Sequence, residues 1–168
     1  MRIMAFVLIV LSALCFGLEL NKNQRRRMEQ LYSLISFTDY ILAELTVRPC
    51  CMDELCKKAM EACSNSIQSF LQVLHSSLAN LTGESFCRIW HQSCHELTYI
   101  NEQQRKIITS LGERLGNFEL STQLKAIESC KADLNNEYIK MKSEYSNNSK
   151  LCIALPCTVA CMILVILI

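Results

Sequence analysis

TSLGERLGNFELSTQLKAI, residues 109–127, holds two of the chain's four glycines, Gly112 and Gly116, four positions apart among residues that favour helix. A dinucleotide-binding turn needs G-x-G-x-x-G between a strand and a helix, and a phosphate loop ends in Gly-Lys-Ser/Thr; neither pattern is present. A membrane G-x-x-x-G contact needs an apolar surround, which Glu113 and Arg114 exclude. What remains is the end of a helix. Gly112 permits a close backbone approach and Gly116 supplies the left-handed residue that stops the turn. Asn117 or Ser121 is available to cap the helix that follows. The stretch is therefore a corner between two helices.

Outward from that corner the chain reads as helical throughout, with no run that alternates as a strand does. On the C-terminal side, Leu120, Leu124, Ile127, Cys130, Leu134, Tyr138, Met141 and Tyr145 form one stripe of a long helix starting near Glu119. On the N-terminal side a helix over about 102–115 is preceded by a short one carrying Phe86, Cys87, Trp90, Cys94 and Leu97, with Ser85 or Thr82 as its cap. A unit from Asp53 to Leu78 has a break near Ser64-Asn65-Ser66. The first long helix carries Met28, Leu31, Ile35, Thr38, Leu42 and Leu45 at steps of three and four, with Leu34 and Ile41 beside them. Pro49 stops it, because proline disfavours α geometry at Arg48.

The composition, 51% hydrophobic over 168 residues, is high for a soluble domain. The excess lies at the two ends. Residues 3–18 and 151–168 carry no charge, and at about 1.5 Å per residue they reach roughly 24 and 27 Å, near the hydrocarbon thickness of a bilayer. Both are expected to be membrane spans. For the first, a cleaved signal peptide competes, but Ala13-Leu14-Cys15 is a poor cleavage site and a retained anchor is the preferred reading. Lys22 and Arg25-Arg26-Arg27 after the first span, with Lys131, Lys140, Lys142 and Lys150 before the second, orient the middle of the chain to the cytoplasm. The expected organisation is thus an N-terminal transmembrane helix at 1–20, a cytoplasmic helical domain at 21–150 and a C-terminal transmembrane helix at 151–168. The fold class is all-α, a membrane-anchored bundle whose two long antiparallel helices continue into the terminal transmembrane segments, with shorter helices between them.

Residues 19–150 are formally neutral, so a nucleic-acid surface is not indicated, and the triple arginine reads as a topogenic cluster that meets headgroups. Of eleven cysteines, Cys15, Cys152, Cys157 and Cys161 fall in the expected spans. In a cytoplasmic domain the other seven are expected to be reduced. Cys56 and Cys63, like Cys87 and Cys94, are spaced as on the core face of a helix. Cys87, His91 and His95 are weak candidates for a zinc site, since a fourth ligand at motif distance is missing and no Glu stands between the histidines. Core thiols beside two surface histidines is the preferred account. Cys50-Cys51 beside Arg48 is a conceivable reactive pair with no base nearby. No catalytic constellation is present, and neither enzymatic activity nor a cofactor is expected.

Two stretches resemble the stage III sporulation protein AB family. LGERLGNFELSTQLKAI is similar to the family's Leu-Gly pair followed by a glutamine and a long charged helix, here Leu115, Gly116 and Gln123. RRRMEQLYSLISFTDYILAELTVRP is similar to its first cytoplasmic helix, with a late glutamate at Glu44 and a proline at Pro49. Gly17, the SFCRIW stretch around Trp90 and the apolar tail agree in order. Cys50-Cys51 in place of leucine after the proline, and Pro156 in a last span without glycine, depart from it. The resemblance implies a non-enzymatic component of the channel-like, secretion-like complex in the mother-cell membrane facing the forespore. It further implies helices like those of type II secretion inner-membrane platform proteins, partnering other subunits of that complex and a cytoplasmic ATPase. The alternative from the residues alone is an exported, disulfide-stabilised helical domain held by a C-terminal membrane anchor.

Overall fold

The computed structural model describes the backbone of residues 2–47, 51–80, 83–115 and 119–167, and the side chains of those residues except for most of 2–20 and 146–167. Helices α1 (Arg2–Val47), α2 (Met52–Ala62), α3 (Gln68–Ala79), α4 (Phe86–Ser93), α5 (Glu102–Leu115) and α6 (Leu120–Leu167) follow in order. Short 3-10 turns at Asn65–Ile67 and Cys94–Glu96 punctuate them. Among the described residues there is no strand, as the periodicity predicts. The break near Ser64 falls where expected, with one helix ending at Ala62 and a 3-10 turn opening the next. Pro49, Gly116 and Asn117 lie outside the described residues.

The chain divides into two compact units, residues 1–28 with 140–168, and residues 29–139. Among the described residues no helix is long and apolar enough to cross a membrane. The expected spans at 3–18 and 151–168 fall largely on side chains outside the described set. The few described there, such as Leu18 and Met162, are exposed at 65% and 71%.

In the second unit α1 and α6 run antiparallel. Asp39 of α1 pairs with Lys131 of α6 at 2.5 Å, and the rings of Tyr32 and Tyr138 lie 6.0 Å apart. Seven residues back along α1 therefore correspond to seven forward along α6, the register of helices in opposite directions. The predicted stripe of α1 is inside: Leu31, Leu34, Ile35, Thr38, Ile41 and Leu45 are buried. That of α6 is inside only in its middle, at Ile127, Cys130 and Leu134, while Leu120 at its start is exposed.

The core centres on a group of rings from three helices. Trp90 of α4 meets Phe70 of α3 edge-on at 5.5 Å and stacks against Phe37 of α1 at 6.5 Å, and Phe37 meets Phe70 edge-on at 5.9 Å. Such offset and edge-to-face contacts place the positive edge of one ring against the negative face of another, adding to their area burial. Phe86, one turn before Trp90, closes the group at 5.7 Å.

The expected serines do not cap the helices of this unit, and a side-chain box is found at α5. Ser85 precedes α4 without a side-chain cap, and its carbonyl instead accepts from the amides of Arg88 and Ile89. Ser121 lies inside α6, so it is not that helix's cap; the Glu119 carbonyl receives the Thr122 and Gln123 amides. At α5 the Asn101 side chain accepts from the Gln104 amide at 2.8 Å, and the Gln104 side chain accepts from the Asn101 amide at 3.0 Å. This reciprocal box satisfies two amides that a helix start leaves open.

Candidate functional site

Residues 83–115 and 119–123 carry most of the positions that the sequence singles out, and Trp90, Gly112, Leu115 and Gln123 each have a described geometry there, Gly116 lying outside the described residues. Gly112 faces the indole of Trp90. A methyl group at Gly112 would lie 2.1 Å from Trp90 Cδ1 and 2.3 Å from Cγ, so the ring occupies the space of the missing side chain. The Trp90 Nε1–H donates to the Ile108 carbonyl at 2.8 Å, one turn earlier on α5. The close approach expected at Gly112 is therefore real, and its occupant is a tryptophan that is 1% exposed.

Leu115 and Gln123 meet across the corner. The Gln123 amide donates to the Leu115 carbonyl at 2.8 Å, closing the open end of α5 while Leu115 itself is buried. A helix leaves its last four carbonyls without intrahelical partners, so this side chain ties the start of α6 to the end of α5. Gln123→Ala is expected to cost about 1 kcal/mol, read as a lower urea midpoint in far-UV circular dichroism of the full chain. Arg105 performs the same task for the turn after α4. Its guanidinium donates to the Cys94 carbonyl and, at 2.8 Å, to that of Leu97.

Sequence reasoning missed Arg105, and it also missed Gln30. Gln30 is 3% exposed on α1; its amide donates to the Ser66 carbonyl at 2.8 Å and its oxygen accepts from the Tyr99 amide at 2.8 Å. The Ser66 hydroxyl donates to that of Ser33 at 2.7 Å beside it. One side chain thus holds α1 to the turn before α3 and to the turn after α4. Glu44 is half-buried near the end of α1 and close enough to Lys58 of α2 to raise its ammonium pKa, behind the larger effect of the Glu54 hydrogen bond.

Of the reactive candidates, Cys50 lies outside the described residues. His91 and His95 are exposed with rings 5.4 Å apart, and Cys87 is half-buried. Among the described residues no group of three or more His, Cys, Asp or Glu is placed to hold a metal ion. His75 Nδ1 meets Asp53 Oδ1 at 2.6 Å, joining α3 to the first turn of α2. The described cysteines, including Cys51, Cys56, Cys63, Cys87, Cys94 and Cys130, are free.

Burial suppresses four of those thiols, half-buried Cys63 among them. Desolvation, with the Asp53 charge, pushes Cys56 up to about 12, and desolvation with Asp133 does the same to Cys130. Desolvation raises Cys94 to about 11 against the opposing Thr109 hydrogen bond and Arg105 charge. An unfolded thiol ionises at the ordinary 9.0 while the folded one keeps its proton. Above that pH the unfolded state binds fewer protons, so stability falls as pH rises. The unfolding midpoint is expected to decline from about pH 9 upward on account of these thiols. In native protein at pH 7.5 a maleimide should modify exposed Cys51 and spare Cys56, Cys94 and Cys130 until urea is added, as peptide mass analysis will show.

Compared with known proteins, residues 2–168 match the family model for stage III sporulation protein AB. No curated protein and no solved structure matches the chain.

Proposed function

Because this chain belongs to the stage III sporulation protein AB family, we propose that it acts in that stage of sporulation as a non-enzymatic docking module of a membrane complex. The observation that carries this reading is the use made of the motif residues. Trp90 and Gly112 are consumed in packing and Leu115 and Gln123 in closing a helix end, which leaves none of the four to touch a substrate. The exposed faces of the shorter helices remain as the working surface. Arg88, His91 and Gln92 of α4 and Glu102, Gln103, Lys106, Glu113 and Arg114 of α5 present charge and hydrogen-bonding groups suited to partner subunits or an ATPase.

The apolar termini fit a pair of membrane anchors. The support for this is the uncharged runs at 3–18 and 151–168, in which the described Leu18 and Met162 are exposed. The basic flanks orient the helical module to the mother-cell cytoplasm.

The test is a chromosomal deletion combined with a photo-crosslinking amino acid at Gln92 or Lys106 in sporulating cells. The reading expects a block at stage III and a discrete crosslinked partner of the complex. Normal spore formation together with no crosslink from either face would sink it. Impermeant maleimide applied to intact cells addresses topology separately: Cys51 should stay unmodified until the cells are permeabilised.

A further inference from the structure

The neutrality of the middle of the chain is an average over two opposite charges. The unit formed by residues 1–28 and 140–168 holds eight of the 17 Lys and Arg and only two of the 16 Asp and Glu, namely Glu19 and Glu144. The unit of residues 29–139 keeps nine basic residues against fourteen acidic ones. The basic residues of the first unit are concentrated just inside the two apolar stretches. Lys22, Arg25, Arg26 and Arg27 on α1 and Lys140 and Lys142 on α6 are all exposed.

We propose that these six side chains from α1 and α6 form a basic collar that binds the headgroups of anionic phospholipids, selecting them over zwitterionic ones around the chain. The proposal rests on the membrane-anchored reading above and adds to it a preference for one class of lipid. Three observations support it. The cations come from both helices of one compact unit, so the collar has two sides. Consecutive Arg25, Arg26 and Arg27 project at about 100° intervals around the helix, so they cover more than one face. The two acids in that unit leave it a formal excess of six positive charges. A Lys or Arg close to an anionic leaflet strengthens attachment by about five-fold, an effect that salt screens.

The full chain is reconstituted into vesicles of equal parts phosphatidylglycerol and phosphatidylcholine, with a trace of spin-labelled lipid of either kind. The fraction of motionally restricted label reports which lipid lines the protein. The collar predicts at least about a twofold preference for phosphatidylglycerol at low salt. The preference should vanish near 0.5 M salt, where the screening length is only a few ångströms, and in the variant K22Q/R25Q/R26Q/R27Q/K140Q/K142Q. Stable incorporation with equal restriction of both lipids overturns the collar and leaves the anchored reading intact. Failure to remain in vesicles after an alkaline wash overturns both. A preference abolished by inorganic phosphate at matched ionic strength overturns the lipid assignment in favour of a free-phosphate site.

Discussion

Replacing Gly112 with alanine is expected to destabilise the helical unit by about 3 kcal/mol or more, near the upper end of over-packing costs. The methyl group would sit 2.1 Å from a carbon of the Trp90 ring. The ring has nowhere to retreat, since Phe37 and Phe70 hold its other sides and its N–H is fixed on the Ile108 carbonyl. Relief requires α4 and α5 to separate, which opens the core and breaks that hydrogen bond. The chain has a single tryptophan, so its fluorescence reports this site alone during urea unfolding. The double variant Gly112→Ala with Trp90→Leu should recover part of the loss, because the clash disappears with the indole. A purely additive result would mean that the helix tolerates the methyl group and that the indole is not what excludes it.

The second large effect is expected at Gln30→Leu. Leucine nearly matches the volume and suits a helix, so propensity predicts no penalty. The loss comes from the partners: the Ser66 carbonyl and the Tyr99 amide, both on half-buried residues, would each lose the hydrogen bond that Gln30 makes. At about 1 kcal/mol for each hydrogen bond lost from a half-buried partner, the pair comes to about 2 kcal/mol. Hydrogen exchange should speed up at Tyr99 more than at α5 amides. Gln30→Glu keeps an acceptor for Tyr99 but turns a buried carboxylate oxygen toward the Ser66 carbonyl, and should cost at least as much as leucine at neutral pH. If the leucine variant is as stable as the parent, water has taken over both groups and the network is dispensable.

These two residues mark how far the sequence could be read. Gly112 was legible as a close approach because glycine inside a charged helix lacks other motives. Its partner was not, since nothing in spacing alone brings position 90 to position 112. Trp90 itself was placed on the inner face by its period with Phe86 and Cys94, though Cys87, placed on the same face, is only half-buried. Gln30 gave no signal. A glutamine among arginines and glutamates reads as a solvated position, and only the fold shows that two turns from elsewhere in the chain converge on it. Arg105 was hidden for the same reason, its task being set by carbonyls eleven and eight residues earlier. The start of α5 was open to no such reading, since its Asn101–Gln104 box was not foreseen, while the stops expected at Pro49 and Gly116 lie outside the described residues. The charge partition was not legible, because a count over residues 19–150 straddles the boundary that the packing draws at 28 and 140.

The antiparallel register of α1 and α6 has a topological consequence. Tyr32 and Tyr138 lie near the two ends of the second unit and their rings are 6.0 Å apart, so the unit's first and last residues are neighbours. Residues 29–139 therefore form a cassette with adjacent termini. A few added residues would close it into a ring, and the connection at Gly83, which has a left-handed φ of 71° and open space around it, offers a place to cut a permuted chain. Sequence order and spatial order can thus be uncoupled in this unit without disturbing its ring cluster.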